Sequence, residues 1–241
     1  MKKLEKELEK HADKKQAGLL QRFFKTKPGG YGEGDRFLGI KVPVQREIAK
    51  QAGERILFDG IKELLNSDIH EKRLIGLLIL IDKYNKAEKQ GNRKEQEKIF
   101  NLYLGFAGKD RINNWDLVDL SAPNIIGNFL SDKKEKRKIL YKLAKSKNLW
   151  ERRIAVVSCF AFIRKNDFSD ALKISKILLK DKHDLINKAV GWMLREIGKR
   201  DEKVLTEFLN QNYKNMPRTT LRYAIERFDE KRRKEFLNGQ I

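Results

Sequence analysis

Near the middle of the 241-residue chain, an aromatic residue and a carboxylate occur at a spacing that could support chemistry. In the stretch Asn-Trp-Asp-Leu-Val-Asp, Trp115 and Asp119 are four residues apart, so a helix would project both from one face. An electron-rich indole beside an ionised carboxylate can stabilise a positively charged group. The same spacing also fits a core tryptophan beside an ordinary surface acid, and these two residues alone leave both interpretations open.

Two predicted helices further along carry cations and a second tryptophan that could share a groove with this pair. These residues are Arg152 and Arg153 in one helix, and Lys188, Trp192 and Arg195 in the other. If the three helices line one groove, Asp119 lies among positive charges that favour its ionised form. On the physics of the sequence alone, core packing explains Trp192 and a solvated helix face explains Arg153 equally well.

The composition is strongly basic, with 54 Lys and Arg residues against 34 Asp and Glu residues and a net charge of +20. This imbalance predicts attraction to a polyanion, either nucleic acid or an anionic membrane surface. No run of about 18 apolar residues offers a membrane span. Charged residues between Lys2 and Lys10 interrupt any apolar region of a signal peptide. We therefore expect a cytoplasmic protein that does not bind a membrane.

Cysteine and histidine are too sparse for a disulfide framework or a zinc site. Cys159 is the one cysteine, and His11, His70 and His183 are scattered. The glycine-rich segment 28–34 lacks the Gly-Lys-Ser/Thr ending of a phosphate loop, and no predicted strand precedes it. We interpret that segment as a mobile connection, and we expect no metal and no cofactor.

Apolar residues recur with a helical period through almost the whole chain, and strand signals are nearly absent. The connections between the periodic segments are short and polar, which favours antiparallel neighbours. The sequence therefore predicts an all-α protein. An amphipathic pattern covers about residues 3–26, and further helices are expected at about 44–51, 54–66, 69–85, 92–107, 113–121, 134–146, 149–164, 167–180, 184–198, 201–212 and 217–228.

Three of the predicted helices resemble one another in sequence. They open at Asp68, Asn148 and Asp184, each a residue suited to cap a helix N-terminus, and each has a small residue where a neighbouring helix would approach closely. Their starts lie 80 and 36 residues apart, a period typical of helix-pair repeats of the HEAT or armadillo kind.

This period predicts a HEAT/armadillo-like helical-repeat solenoid with a concave basic groove. We expect one domain over residues 1–241. Within it, 1–35 would form an N-terminal helix and the glycine-rich loop, 36–230 the helical repeats, and 231–241 a basic tail.

The segments NWDLVD, ERRIAVVS and KAVGWMLREIGK together resemble the DNA alkylation repair family, the AlkD-like DNA glycosylases built from HEAT-like repeats. Weaker similarities are FLGIKVP with Arg46, NSDIHEKRLIGLLIL and PRTTLRYAIERF, so the resemblance covers about residues 16–230. It implies a monofunctional glycosylase that hydrolyses the N-glycosidic bond of cationic N3- or N7-alkylated purines in duplex DNA. It also implies a monomer that uses neither metal nor cofactor.

The resemblance further implies roles for individual residues. Trp115 and Trp192 match the aromatic walls around the lesion, Asp119 matches the catalytic carboxylate, and Arg153 matches an arginine near the DNA backbone. The DNA-binding residues expected beside them are Arg152, Lys188, Arg195 and Arg46. The family also contains members that bind DNA without glycosylase activity. The alternatives are therefore a non-catalytic binder of distorted or branched DNA, and a HEAT scaffold for protein or RNA.

Overall fold

The structure is a computed structural model that describes residues 1–240. Within these residues it consists of helices joined by short connections, and β-structure is limited to one isolated bridge between Arg36 and Ile69. The prediction of an all-α protein is confirmed. No helix in this part of the chain is long and apolar enough to cross a membrane. The chain divides by its contacts into two compact units, Met1–Leu117 and the part from Val118 onward.

The first unit is built around one long buried helix. Its helices are α1 (Lys2–His11), α2 (Lys14–Phe23), α3 (Val42–Ala52), α4 (Phe58–Leu65), α5 (His70–Lys89), α6 (Arg93–Gly108) and the first turn of α7 (Trp115–Ala122). Helices α3, α4 and α6 all pack on α5. Because α5 meets neighbours on several sides, its residues 74–81 are apolar all round, with Ile75, Leu77 and Leu80 inaccessible to solvent.

The N-terminal amphipathic pattern forms two helices rather than one. Ala12 and Asp13 both adopt extended backbone between α1 and α2. The Asp13 carboxylate accepts the backbone N–H of Gln16, which caps the N-terminus of α2. The apolar period continues across this break, so periodicity alone does not reveal it.

The second unit contains the rest of α7 and a series of shorter helices. These are a π-helical turn (Pro123–Gly127), α8 (Asn128–Ser131), a 3-10 turn (Lys134–Arg137), α9 (Lys138–Ala144), α10 (Leu149–Ser158), α11 (Phe160–Ile163), α12 (Ser169–Leu178), α13 (Asp184–Gly198), α14 (Glu202–Asn212), a 3-10 turn (Tyr213–Asn215), α15 (Arg218–Ala224) and α16 (Glu230–Asn238). Helix α10 packs on α13, and α13 packs on α15. Helix α16 lies in the segment predicted as a basic tail, where no helix was expected.

Close helix contacts occur at small residues, as predicted. A Cβ atom added at Gly191 of α13 would lie 2.4 Å from the Cβ of Tyr223 and 2.7 Å from the carbonyl oxygen of Thr220, both on α15. A Cβ at Gly76 of α5 would lie 3.1 Å from the Cβ of Leu64 on α4. Glycine at position 191 therefore lets α13 and α15 approach each other closely.

The three similar helices share a turn that sets where each one begins. Ser67, Ser146 and Asp181 each use a side-chain oxygen to accept the backbone N–H two residues further on. Each of these residues stands three positions before the first residue of its helix, which is residue 70 in α5, 149 in α10 and 184 in α13. The structural starts are therefore 79 and 35 residues apart, one fewer in each case than the alignment of the sequence predicted.

Only one of the three predicted N-caps has that role. Asn148 accepts the backbone N–H groups of Trp150 and Glu151 and caps α10. Asp68 instead forms an ion pair with a neighbouring arginine, 2.9 Å from Arg111. Asp184 is the first residue of α13, where its charge favours the helix dipole, and the capping group is the His183 ring.

Candidate active site

The predicted catalytic carboxylate is held on both oxygens by the predicted arginine. The Nε of Arg153 on α10 donates to Oδ1 of Asp119 at 2.9 Å, and its Nη2 donates to Oδ2 at 2.8 Å. The Nη1 of Arg153 donates to the carbonyl oxygen of Leu185 in α13. Arg153 is 5% exposed, whereas the side chain of Asp119 is 21% exposed. The result is a fixed carboxylate that a reactant can still approach.

Asp119 and Arg153 occupy equivalent positions in two helices. They are the fifth residues of α7 and α10, and Lys188 and Arg222 are the fifth residues of α13 and α15. We call these four residues the charged ladder. Arg222 is exposed, and the sequence analysis missed it because the predicted helix 217–228 was not compared with the other three. The distance of each residue from its helix start was the signal that could have found it.

The second predicted aromatic wall, Trp192, is half-buried. Its ring centroid lies 5.7 Å from that of Phe160, with the planes inclined by 48°. Phe160 lies seven residues after Arg153, and Trp192 lies seven residues after Leu185, a distance of about two helical turns. The contact between the two rings therefore lies two turns beyond the contact between Arg153 and Leu185. Trp192 thus packs on the same pair of segments while part of its indole stays accessible.

The four predicted DNA-binding cations differ in how freely they could meet a phosphate. Arg152 donates its Nε to Asp181 at 2.6 Å and its Nη1 to two backbone carbonyls of the preceding turn. Arg195 pairs with Glu226. Lys188 is half-exposed and lies 2.7 Å from Asp184, and Arg46 is exposed on α3 of the first unit. The two paired guanidinium groups are thus committed to contacts within the protein.

Trp115 belongs to an aromatic cluster in the first unit. Its ring stacks on Phe24 at a centroid distance of 5.5 Å and meets the ring of Phe23 edge-on at 6.1 Å. The side chain of Asn114 fixes the start of α7 by accepting the backbone N–H of Trp115. Trp115 is half-buried, so one part of the indole packs and another remains accessible.

A buried charge network lies beside this cluster. His70 contacts Asp35 through Nδ1 at 3.0 Å and Asp116 through Nε2 at 2.8 Å, and Arg73 contacts Asp35 at 2.6 Å. Burial alone lowers the pKa of His70, but the two carboxylates outweigh it and raise that pKa to about 9. Burial likewise opposes ionisation of Asp35, yet His70 and Arg73 lower its pKa. Asp116 is therefore committed to this network, unlike Asp119.

The sequence analysis also missed the anchor of the segment that follows the glycine-rich loop. Glu71 is fully buried, and its carboxylate accepts the backbone N–H groups of Leu38, Gly39 and Ile40. The loop itself is packed, since a Cβ at Gly32 would lie 2.3 Å from the carbonyl oxygen of Phe24. Among residues 1–240, no group of three His, Cys, Asp or Glu side chains could hold a metal ion.

Comparison with known proteins places this chain in a family. A family model described as DNA alkylation repair enzyme matches residues 4–228. The structure is similar to that of a "Predicted DNA alkylation repair enzyme from Enterococcus faecalis", with a TM-score of 0.68, 14% identity, and coverage of 91% of this chain and 98% of that one. It is also similar to AlkD2 from Streptococcus mutans, with a TM-score of 0.55, 20% identity, and coverage of 90% and 99%. No curated protein matches at a significant level.

The two structural likenesses confirm the prediction of a HEAT-like helical-repeat fold, whereas the concave basic groove stays a prediction. The family model covers nearly the whole chain, including the residues of the charged ladder. The chain belongs to the DNA alkylation repair enzyme family.

Proposed function

We propose that this protein is a monofunctional DNA glycosylase that hydrolyses the N-glycosidic bond of cationic N3- or N7-alkylated purines in duplex DNA. The observation that supports it most directly is the Asp119 carboxylate, which Arg153 holds on both oxygens while part of it stays exposed. The chain belongs to a family of DNA alkylation repair enzymes, and a fixed, accessible carboxylate can stabilise the positive charge that develops on the sugar.

The charge of the leaving group explains why one carboxylate is sufficient. A glycosidase acting on a neutral linkage commonly needs a second carboxyl group that protonates the departing group. A purine alkylated at N3 or N7 already carries a positive charge, so it departs as a neutral base without an acid. The remaining task is to stabilise the positive charge that develops on the sugar and to position a water molecule.

Asp119 performs that task by electrostatics. An ionised carboxylate near C1′ stabilises an oxocarbenium-like sugar and accepts a proton from the attacking water. Arg153 acts as a positioning residue, because its planar fork fixes the orientation of the carboxylate. The same ion pair partly neutralises the carboxylate. Its attraction for the positive charge on the sugar is therefore weaker, while its orientation is fixed.

The other site residues bind the substrate. The accessible parts of Trp115 and Trp192 offer indole faces, which attract a cationic base or sugar. Lys188 and Arg222, the more exposed members of the charged ladder, contact phosphates together with Arg46. The protein acts on DNA as a monomer in the cytoplasm and uses neither a metal nor a cofactor.

The test is release of free base from duplex DNA that contains 7-methylguanine, measured under single-turnover conditions. Asp119→Asn keeps the shape of the side chain and removes its charge, so release should fall by about 100-fold or more while duplex binding survives. Asp132→Asn is the matched control, because Asp132 is 85% exposed in the same unit. A thermal melt of each variant separates lost chemistry from lost stability, since Asp119→Asn leaves the Arg153 charge without its partner.

A neutral lesion provides the substrate control. Uracil leaves as an anion unless the enzyme protonates it or binds it with donors, so wild type should release it far more slowly than 7-methylguanine or 3-methyladenine from otherwise identical duplexes. Equal rates for uracil and the cationic bases would contradict the mechanism.

A second candidate function is binding of distorted or branched DNA without catalysis. One observation favours it, namely that both oxygens of Asp119 already accept guanidinium N–H groups. Tight binding of branched duplex together with no release of any alkylated base would select this function over the glycosylase.

A further inference from the structure

The turn that begins α13 is bound to α10 at two points, one through each of two adjacent arginines. The backbone N–H of His183 donates to Oδ1 of Asp181 at 2.8 Å, and the Nε of Arg152 donates to Oδ2 of the same carboxylate at 2.6 Å. Two residues further on, Nη1 of Arg153 donates to the carbonyl oxygen of Leu185. The glycosylase mechanism gives no role to the His183 ring, which lies in the middle of this turn.

The His183 ring connects the two points. Its Nδ1 accepts the backbone N–H of Leu185 at 3.2 Å and so caps the N-terminus of α13. A ring nitrogen that accepts a hydrogen bond carries no proton, so this bond requires the neutral imidazole with its proton on Nε2. The cap therefore exists only in one charge state of His183.

A continuous series of hydrogen bonds runs from this ring to the candidate catalytic carboxylate. Leu185 donates its N–H to His183 and accepts at its carbonyl oxygen from Arg153. Arg153 in turn holds both oxygens of Asp119. All four residues lie in the second unit. Because Arg153 is buried and its guanidinium is rigid, a displacement of the Leu185 carbonyl would pass to the carboxylate.

The surroundings of His183 keep its ring neutral. Burial lowers the pKa of His183 below 6.5 and is the largest cause of the shift. Arg152 and Arg153, which face the ring from α10, lower this pKa further. Asp181 and Asp184 act in the opposite direction without cancelling the shift. A charged ring would also place a cation at the N-terminus of α13, where the helix dipole disfavours it.

We propose that His183 is a positioning residue that holds Asp119 in place through Leu185 and Arg153, and that protonation of its ring releases this hold. The proposal rests on the proposed function, since Asp119 is the group that is positioned. A proton on Nδ1 would face the Leu185 N–H, so two donors would meet and the capping bond would break. Arg153 and Asp119 would then lose their fixed orientation, and base release would slow.

Two substitutions separate the capping bond from the proton. His183→Asn supplies an oxygen that caps a helix and does not titrate, so release of 7-methylguanine at neutral pH should stay within about twofold of wild type. His183→Ala removes the cap, so release should fall by at least about threefold. Asp201→Ala is the matched control, because Asp201 caps α14 of the same unit by accepting the N–H of Val204 and lies outside this series of bonds. It should lower the melting temperature and leave the rate unchanged.

The pH profile is a readout that a purely structural cap would not change. NMR titration of the His183 ring locates its pKa, and single-turnover release is measured about one unit above and about one unit below that value. At the lower pH, the ratio of the wild-type rate to the His183→Asn rate should fall at least about threefold. Titration of the substrate cancels in this ratio, and a thermal melt at each pH checks that both proteins are folded. A ratio that does not change with pH overturns the proposal, as does a wild-type rate in His183→Ala.

A second measurement does not depend on catalysis. The Nε–H of Arg153 donates to Asp119 in a buried position, so its NMR signal should be protected from exchange with solvent. The signal is identified by its absence in Arg153→Lys. At the lower pH, wild type should lose this protection and His183→Asn should keep it, while His183→Ala should lack it at both pH values.

The NMR signal and base release fail independently of each other. The expected NMR behaviour together with no release of base from damaged duplex contradicts the glycosylase alone. Release of base together with full protection of the Arg153 signal in His183→Ala contradicts the positioning role alone.

Discussion

At the scale of single residues, Asp119 and Arg153 work as one unit. The sequence identifies both residues and predicts that the carboxylate lies among cations, but it assigns Arg153 to the DNA backbone. In the structure, all three guanidinium nitrogens of Arg153 donate within the protein, to Asp119 and to Leu185. Spacing along a chain does not tell which partner a long side chain reaches. We therefore expect Arg153 to position the carboxylate rather than to bind a phosphate.

This role predicts a variant that separates release from binding. Arg153→Lys keeps the charge, but a lysine cannot contact both carboxylate oxygens and the Leu185 carbonyl at once. Single-turnover release of 7-methylguanine should fall by about 10-fold or more, while affinity for undamaged duplex stays within about twofold. Arg200→Lys, at an exposed position of the same unit, should change neither. A loss of affinity as large as the loss of rate would indicate that Arg153 contacts the DNA backbone instead.

The raised pKa of His70 predicts how the stability of the fold depends on pH. Its pKa is raised from 6.5 to about 9 in the folded protein, so its contribution is fully present below pH 6.5 and is lost as pH rises through 9. The loss is on the order of 3 kcal/mol for a shift of this size. Denaturant unfolding between pH 6 and pH 10 measures it. His70→Gln should flatten the slope, and His11→Gln, at an exposed position, should keep it. Equal slopes in both variants would disprove the assignment to His70.

At the scale of elements, hydrophobic periodicity predicted most helices of the core, and it failed where the helix pattern is interrupted or weak. It missed the helical path beyond Ala122, where Pro123 lacks an N–H and a π-helical turn follows. It also missed α16, whose one buried residue is Phe236, because so polar a helix gives almost no apolar period.

The register between the three similar helices was also not predictable from the sequence. Apolar periodicity tolerates a shift of one residue between similar helices. The apolar pattern is therefore compatible with an alignment that matches Asp68, Asn148 and Asp184, although its register is one residue off. The turn formed by Ser67, Ser146 and Asp181 fixes the true register, and it depends on hydrogen bonds that a hydrophobic pattern does not report. In that register Lys188 matches Arg153, whereas the predicted alignment matches Ala189 with it.

Replacement of glycine by alanine should have opposite effects at two positions, one where α13 packs on α15 and one at an exposed position of α6. Gly191→Ala places a Cβ 2.4 Å from the Cβ of Tyr223 and should destabilise the protein by about 1–3 kcal/mol. Gly105→Ala, in α6, has no atom within 4 Å of the new Cβ and should stabilise by about 0.4–1 kcal/mol. Urea unfolding of both variants measures the difference. Similar free energies for the two would mean that the helices separate easily at Gly191.

At the scale of the whole molecule, the excess of positive charge is the strongest sign of a polyanionic partner. The net charge is +20, although several cations of the candidate site are paired internally, among them Arg152 and Arg195. We therefore expect affinity for DNA to come chiefly from many exposed cations and not from a few buried ones. Such binding is weakly sequence-dependent and responds strongly to salt.

The last prediction is the salt dependence of binding to undamaged duplex. Neutralising phosphates releases condensed counterions, so the logarithm of the binding constant should fall linearly with the logarithm of the salt concentration. A slope of about −4 to −8 corresponds to roughly five to nine phosphate contacts. Arg222→Ala, which removes an exposed cation of the charged ladder, should make the slope shallower by about 1. Lys203→Ala, on α14 and outside the ladder, should leave it unchanged. A wild-type slope near zero would contradict DNA as the partner, and equal slopes for the two variants would contradict the ladder as a phosphate-binding track.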